Sequence, residues 1–179
     1  MRMSIDGFVA QPDGKLDRMN VDRDQEVMDG LYERAITSDT LIMGRKMSGG
    51  FLSYWQSVAD NQPSNPEHRF AKKLVELKKI IFSKTQKTVD GRNARMEEGD
   101  LKAEVQKLKN APGKDILVYG GATLVSSLIE EGLIDDYYFL VVPVAIGSGM
   151  RIFHGDSKLE LVESTKHNNG VVVNHYKKR

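Results

Sequence analysis

The order of secondary-structure patterns along the chain constrains its fold more than any other feature. Between residues 24 and 131, segments with the apolar spacing of helices alternate with short apolar segments rich in β-branched residues. Beyond residue 134, the apolar segments have strand patterns only. Strands that alternate with helices pair in parallel, whereas strands joined by short turns pair antiparallel. We therefore expect an α/β protein with a mainly parallel central sheet, helices on both faces and an antiparallel C-terminal edge.

Four segments are predicted to be amphipathic helices, because apolar residues recur in them every three or four positions. They run from Asp24 to Thr37, from about Glu67 to Lys78, from about Leu101 to the residues before Pro112, and from Thr123 to Glu131. Within residues 3–10, a strand is predicted to end and to run into a loop. Further strands are predicted at 40–43, 79–83, 115–119 and 134–146. A closing hairpin pairs residues 158–166 with 171–177, because Asn169-Gly170 favours a tight hairpin turn.

The loops are marked by glycine and proline. Asp6-Gly7 predicts a bend and Pro12-Asp13-Gly14 a turn, while Gly147-Ser148-Gly149 is interpreted as another turn. Ser48 to Pro66 lacks a clear period and contains Gly49-Gly50 and two prolines. This stretch is predicted to be a long surface loop.

The composition excludes several classes of protein. At 179 residues, the chain has the length of one domain, which we expect to cover residues 1–179. The absence of cysteine excludes disulfides, thiolate metal sites and cysteine nucleophiles. A formal net charge of +1 argues against nucleic-acid binding. No membrane span or signal peptide is apparent, so we expect a cytoplasmic protein with no nucleic-acid or membrane partner.

No metal site is expected. The four histidines lack the spacing of metal ligands and are expected mostly at the surface. Asp22, Asp24 and Glu26 alternate as in half of a calcium loop, but Val27 stands where such a loop needs glycine. This acidic segment is therefore interpreted as the capped start of a helix.

Three strand ends carry the signal for a binding site. Met43 to Met47 place a glycine and two cations after a strand, and Phe82 to Thr85 place hydroxyls and a cation after another. Val118 to Thr123 form a strand, a glycine pair and a helix start. Helix N-termini and close glycine backbones favour phosphate, and ligands of open α/β sheets bind where parallel strands end.

Each of these segments also has a purely structural explanation. The glycine pair suits a tight turn, Arg45-Lys46 suits a solvated helix start, and Ser83 with Thr85 suits capping. Taken together, however, the three segments are better explained by one bound dinucleotide than by three independent coincidences. Neither the Rossmann fingerprint nor a P-loop sequence is present.

These segments, in this order, resemble the dihydrofolate reductase-like superfamily. The resemblance is closest to the C-terminal reductase domain of the bifunctional riboflavin-biosynthesis deaminase/reductase and its stand-alone relatives. It rests on five segments: MSIDGFVA at 3–10, MGRK at 43–46, FSKT at 82–85, VYGGATL at 118–124 and PVAIGSGMRIF at 143–153. It implies a three-layer dihydrofolate reductase-like fold and an NADPH-dependent reductase, similar to 5-amino-6-(5-phosphoribosylamino)uracil reductase.

The resemblance also implies a map of the NADPH site. Gly44, Arg45, Lys46 and Met47 would lie on the 2′-phosphate side, and Ser83, Lys84 and Thr85 would line the adenosine half. The pyrophosphate would be wrapped by Gly120, Gly121, Ala122, Thr123 and Leu124, and the nicotinamide flanked by Val9 and Ala10. Arg45 and Lys84 would favour NADPH over NADH.

Two departures from the family pattern bear on this interpretation. Met1 falls midway through the usual first strand, which is therefore either truncated or unusually short. The first-helix carboxylate of true dihydrofolate reductases falls near Met28 here, with Glu26, Asp29 and Glu33 nearby. Charged helix residues usually form the solvated face, so folate reduction is not expected.

The resulting hypothesis is hydride transfer from NADPH to a small heterocycle, a pyrimidine or pterin related to riboflavin biosynthesis. Asp6 is the candidate for substrate contact or proton supply, although Asp before Gly also forms turns. Tyr54 and Trp55 are candidates for a substrate lid, although a lone Trp also fills core edges. The alternative is a non-catalytic NADP(H)-binding regulator or sensor.

A homodimer is the expected assembly. Residues 134–146 are almost continuously apolar. A central strand covered on both faces would explain this within a monomer. The resemblance, however, places this segment near a sheet edge, where an apolar strand needs a cover. Related reductase domains pair through this region, so we expect a two-fold dimer.

Overall fold

The computed structural model describes residues 1–179, which group into two compact units. The terminal unit comprises Met1–Val27 and Val125–Arg179, and the central unit comprises Met28–Leu124. The unit boundaries fall within two helices, α1 (Gln25–Ile36) and α5 (Ala122–Glu130).

The central unit contains a fully parallel sheet, as the alternation of strands and helices predicts. Its strand order is β4-β3-β2-β5. The strands are β2 (Ser38–Gly44), β3 (Lys78–Phe82), β4 (Ala94–Glu97) and β5 (Asp115–Gly120). Three of them lie where the sequence predicts them. The short β4 was not predicted, because four residues with two charges are too few to give a clear strand pattern.

The helices of this unit are α2 (Arg45–Asn61), α3 (His68–Glu76) and α4 (Leu101–Asn110). The Asp100 carboxylate accepts a hydrogen bond from the Ala103 amide at 2.9 Å, which fixes the start of α4. The core joins strand and helix residues: Leu41, Met43, Leu52, Phe70, Leu74, Leu77 and Ile81. The bounds of α3 and α4 agree with the predicted helices to within two residues.

The loop prediction for residues 48–66 is wrong, because most of this stretch is helix α2. Ser48, Leu52 and Val58 are buried on one side of the helix. Gly49 and Gly50 are exposed and helical, and each costs about 1 kcal/mol relative to alanine. Burial of the apolar side of α2 therefore outweighs the glycine pair that suggested a loop.

The terminal unit contains the antiparallel edge. Its sheet has the order β1-β6-β8-β7, with β1 (Arg2–Ser4) parallel to β6 (Asp136–Val142). The antiparallel pair β7 (Leu159–Lys166) and β8 (Val172–Lys178) confirms the closing hairpin. Its turn includes Gly170 with φ +81°, a conformation that favours glycine.

Strand β6 lies next to the edge strand β1 but is itself an inner strand, as the monomer explanation of its apolar sequence requires. It pairs with β1 on one side and with β8 on the other, and Tyr137, Phe139 and Val142 are buried. Partners within the chain therefore explain why residues 134–146 are so apolar. The exposed edge of this sheet is β7, where Leu161 and Val162 are 54% and 49% exposed.

The polar segment 11–22 has a buried anchor. A 3₁₀ turn at Asp17–Met19 places Met19 in a small core with Val142, Ile146 and Val171. The predicted turn before it is confirmed by φ +84° at Gly14 and by the hydrogen bond from the Gly14 amide to the Gln11 carbonyl. No helix of the protein combines the length and apolar character needed to span a bilayer.

Candidate functional site

The three strand ends predicted to form a site lie side by side in the central unit. Strand β2 pairs in parallel with both β3 and β5. Gly44 is in register with Phe82, and Met43 is in register with Gly120. Because the strands are parallel, the segments that follow them leave the sheet at the same edge. This confirms the expected grouping of the three segments.

Two glycines at this edge are in contact. Gly121 has φ +91°, and a Cβ atom there would lie 3.1 Å from the Gly44 Cα and 3.2 Å from the Gly44 nitrogen. A Cβ atom on Gly44 would lie 3.4 Å from the Gly121 Cα. Gly121 therefore needs to be glycine, because of both its conformation and the close approach of the Gly44 backbone, whereas a Cβ atom on Gly44 would make an ordinary contact.

Two helices start at these contacting glycines. Helix α2 begins at Arg45, and its N-cap residue Gly44 has no side chain to satisfy the first amides. Helix α5 begins at Ala122, directly after Gly121. Two adjacent helix N-termini give a positive potential that suits an anion. Arg45 and Lys46 are exposed at the start of α2, and Met47 is half-buried.

Ser83 organises the turn after β3. Its buried hydroxyl accepts hydrogen bonds from the backbone amides of Thr85 at 3.2 Å and Gln86 at 2.9 Å. Ser83 therefore caps this turn, which is the structural role that the sequence suggests for it. Lys84 and Thr85 are exposed. The turn thus presents one cation and one hydroxyl at the carboxyl end of β3.

Asp6 holds a second loop of the terminal unit. Its carboxylate accepts hydrogen bonds from the amides of Ile146, at 3.1 Å, and Gly147, at 2.7 Å. The hydrogen bond with Ser4 is the largest influence that lowers the pKa of Asp6. Burial opposes this effect, and the two amides add to it. Asp6 is therefore held as a carboxylate that ties two loops together, and its catalytic role stays a prediction.

Val9 and Ala10 are buried, and their backbone pairs with Met150. The Val9 amide donates to the Met150 carbonyl at 2.9 Å, and the Met150 amide donates to the Ala10 carbonyl at 2.8 Å. A Cβ atom on Gly149 would lie 2.2 Å from the Ala10 oxygen, so only glycine fits there. The sequence predicts a turn at 147–149, which φ +76° at Gly147 confirms, but it gives no sign of this contact.

Tyr54 and Trp55 lie on α2 rather than on a loop. The Tyr54 hydroxyl donates to Glu67 at 3.0 Å, and Tyr54 is 48% exposed. The Trp55 ring packs against Phe70 at 5.1 Å and against Tyr54 at 4.9 Å between ring centroids. Trp55 therefore belongs to the edge of the core. That either side chain contacts substrate stays a prediction.

Helix α1 carries no inward-facing carboxylate in the part predicted to matter for folate. Met28 is partly buried and packs against the core of the central unit. Glu26, Asp29 and Glu33 are exposed. That folate is not reduced stays a prediction.

Known proteins with related sequences span almost the whole chain. The YyaP protein of Bacillus subtilis, itself uncharacterized, is 32% identical over 175 residues, which cover 96% of this chain and 89% of YyaP. The YwjB protein of the same organism, also uncharacterized, is 28% identical and covers 97% of this chain and 92% of YwjB.

Solved structures share the fold at lower identity. A putative riboflavin biosynthesis protein from Shewanella sp. PV-4 superposes with a TM-score of 0.77 at 22% identity, covering 100% of this chain and 96% of that one. Dihydrofolate reductase from Enterococcus faecalis, complexed with NADP(H), gives a TM-score of 0.62 at 12% identity, covering 99% and 93%. The α/β fold is therefore dihydrofolate reductase-like.

The model of the RibD C-terminal domain family matches residues 1–173, which include parts of both units. The predicted resemblance is thereby confirmed. This chain belongs to the RibD C-terminal domain family.

Proposed function

We propose that the protein is an NADPH-dependent reductase that transfers hydride to a small heterocycle of the pyrimidine or pterin type. The observation that carries this proposal is the edge of the central unit. There, the contacting residues Gly44 and Gly121 start two helices beside three exposed cations, Arg45, Lys46 and Lys84. Family membership and the NADP(H) bound to the dihydrofolate reductase neighbour support it.

The chemistry of this edge fits a phosphate-rich dinucleotide. None of the residues proposed to bind it, 44–47, 83–85 and 120–124, is acidic. The glycine backbones leave room at the strand ends, and the first amides of α2 have no side-chain cap. Arg45, Lys46 and Lys84 are proposed to neutralise the 2′-phosphate side, while residues 120–124 hold the pyrophosphate.

When bound, NADPH supplies the hydride, and the protein supplies orientation and charge. Val9 and Ala10 are proposed to flank the nicotinamide through a backbone fixed by Met150 and Gly149. Asp6, whose pKa is lowered, is proposed to accept a hydrogen bond from substrate rather than to supply the proton. Tyr54 and Trp55 remain proposed substrate contacts.

Because Met28 stands where dihydrofolate reductases carry a carboxylate, the proposal does not extend to folate reduction, and the same feature supports a second candidate function. A protein that binds NADP(H) without catalysis would need the phosphate site but no proton donor. The two functions are separated by one pair of measurements, NADPH affinity and substrate-dependent NADPH oxidation with reducible pyrimidines and pterins.

The decisive experiment is a comparison of NADPH and NADH binding by calorimetry. The wild type is expected to bind NADPH at least tenfold more tightly, and Arg45→Ala is expected to remove most of this preference. Arg18→Ala, at an exposed position of the terminal unit, is the matched control and should change neither affinity. Equal affinity of the wild type for both cofactors would refute the proposed site. NADPH binding without turnover of any heterocycle would favour the non-catalytic alternative.

A further inference from the structure

A cluster of possible metal ligands lies in the terminal unit. The start of α1 contributes Asp24 and Glu26, and the turn between β7 and β8 contributes His167. One ligand atom from each residue lies within 4.8 Å of the other two. The histidine is remote from both carboxylates in the sequence, which explains why ligand spacing gave no sign of this cluster.

The histidine has an unsatisfied nitrogen. His167 is only 9% exposed, and its Nδ1 atom is buried without a hydrogen-bond partner. The atoms nearest to it among the ionisable groups are a Glu26 oxygen at 3.4 Å and an Asp24 oxygen at 3.9 Å. A buried imidazole nitrogen without a partner costs free energy, and it faces two carboxylates. This orphaned atom points to a missing ligand.

Two of the three side chains are held in place by the backbone. The His167 amide donates to the Val171 carbonyl at 2.9 Å, which closes the hairpin turn. One Asp24 oxygen accepts the amides of Glu26, at 2.9 Å, and Val27, at 3.2 Å. The same oxygen, Oδ1, is the one that lies 3.9 Å from the His167 ring, and the two amides occupy its lone pairs, so a cation would bind the other oxygen of Asp24.

A hydrogen bond joins the β7–β8 turn to the segment before α1, next to the cluster. The Asn169 side chain donates to the Asp22 carbonyl at 2.7 Å, which holds the hairpin turn against the start of α1. The Asp24 side chain is 7% exposed, whereas that of Glu26 is 71% exposed. Glu26 is therefore the adjustable ligand, and its open side gives an ion access to the cluster.

The distances suit a small ion with nitrogen and oxygen ligands. At the usual Zn–N and Zn–O bond lengths, neighbouring ligands of a tetrahedral site lie about 3.4 Å apart. The separation of Glu26 and His167 already has this value. The Asp24 oxygen lies 3.9 Å from the same nitrogen, so binding would also draw Asp24 and His167 closer together. An imidazole ligand favours Zn²⁺ and similar ions over Mg²⁺ and Ca²⁺.

We propose that Asp24, Glu26 and His167 bind one divalent transition-metal ion of the zinc type, with water completing the coordination. The ion would link the start of α1 to the β7–β8 turn and so stabilise the terminal unit. The competing explanation is that protonated His167 pairs with the two carboxylates and that no metal binds.

The test uses the untagged full-length chain, treated with EDTA and dialysed, and titrated with ZnCl₂ by calorimetry and thermal unfolding. One Zn²⁺ per chain should bind at micromolar concentrations and raise the melting temperature by several degrees, since a ligand of the folded state stabilises it. Co²⁺ should give the intense visible bands of a tetrahedral site, and Mg²⁺ should have no effect.

Glu26→Gln removes a ligand at an exposed position and should weaken Zn²⁺ binding about tenfold or more. The matched control is Glu33→Gln, which lies on the exposed side of the same helix and should bind Zn²⁺ as the wild type does. His154→Asn and His175→Asn test the other histidines for adventitious binding. His167→Asn should abolish binding, provided circular dichroism shows that the variant is folded. Equal Zn²⁺ affinity of Glu26→Gln and wild type, or no binding below millimolar Zn²⁺, would overturn the proposal.

Discussion

Gly121→Ala tests the close approach on which the candidate site depends. A Cβ atom at this position would lie 3.1 Å from the Gly44 Cα, where backbone cannot move aside as a flexible side chain would. The φ of +91° adds a conformational penalty for any residue with a Cβ atom. A left-handed conformation costs alanine about 1–2 kcal/mol, and an overpacked contact typically costs about 1–3 kcal/mol. We expect a loss of about 2–4 kcal/mol in the free energy of unfolding.

The same substitution in helix α2 should have the opposite effect. Gly50 is helical and exposed, and a Cβ atom there would meet nothing within 4 Å. Gly50→Ala should therefore stabilise the protein by about 0.5–1 kcal/mol through helix propensity alone. This matched pair separates the general effect of replacing glycine from the specific effect of the contact with Gly44.

Urea denaturation followed by circular dichroism measures both free energies, and calorimetry measures NADPH affinity. Gly121→Ala should also weaken NADPH binding at least tenfold, measured where the variant is folded, because the two helix starts would move apart. Gly50→Ala should bind NADPH as the wild type does. A Gly121→Ala variant as stable as the wild type, with the same NADPH affinity, would refute the reasoning from this contact.

Three further predictions concern other parts of the molecule. Burial lowers the pKa of Lys79 from 10.5 to about 8, so between these two pH values the unfolded state binds one more proton and the free energy of unfolding should rise by about 3 kcal/mol. Lys79→Met should remove this rise in urea titrations. Dihydrofolate turnover should be absent or very weak, and a kcat of about 1 s⁻¹ or more would contradict our interpretation of Met28. For the predicted homodimer, light scattering should give a mass near twice 20.1 kDa. Val162 is exposed on the edge strand β7, and Val162→Lys should favour the monomer. A wild-type monomer at micromolar concentration would disprove the dimer.

Local patterns made most of the fold predictable. Three features depend on residues close together in the sequence: helix α1, the Asn169-Gly170 turn and the glycine pair at the end of β5. Each of them lies where the sequence predicts it. The grouping of the three strand ends also followed, because parallel pairing brings the carboxyl ends of strands to one edge.

The errors have a common physical cause in contacts between distant residues. Gly49-Gly50 suggested a loop, but the burial of Leu52 and the packing of Trp55 on Phe70 hold this segment as a helix. Lys79 was expected only to begin a strand, yet its buried ammonium donates to three carbonyls near the end of α3, at 2.7 to 3.0 Å. No periodicity within either segment reveals such partners.

The difference between local patterns and distant contacts also separates the two parts of the proposed function, cofactor binding and substrate selection. Cofactor binding is attributed largely to backbone geometry, since Gly44 and Gly121 fix where two helices start, and glycine signals of this kind are legible in a sequence. Substrate selection depends on side chains that distant loops position, such as Asp6, which is held by amides 140 and 141 residues away. We therefore expect that substitutions at residues such as Asp6 change substrate selection while leaving the proposed cofactor site intact. Pyrimidines and pterins should accordingly be screened with the wild type and with Asp6→Asn, leaving the proposed NADPH site unchanged. Asp6→Asn keeps the shape of the side chain but removes the charge that is proposed to contact substrate.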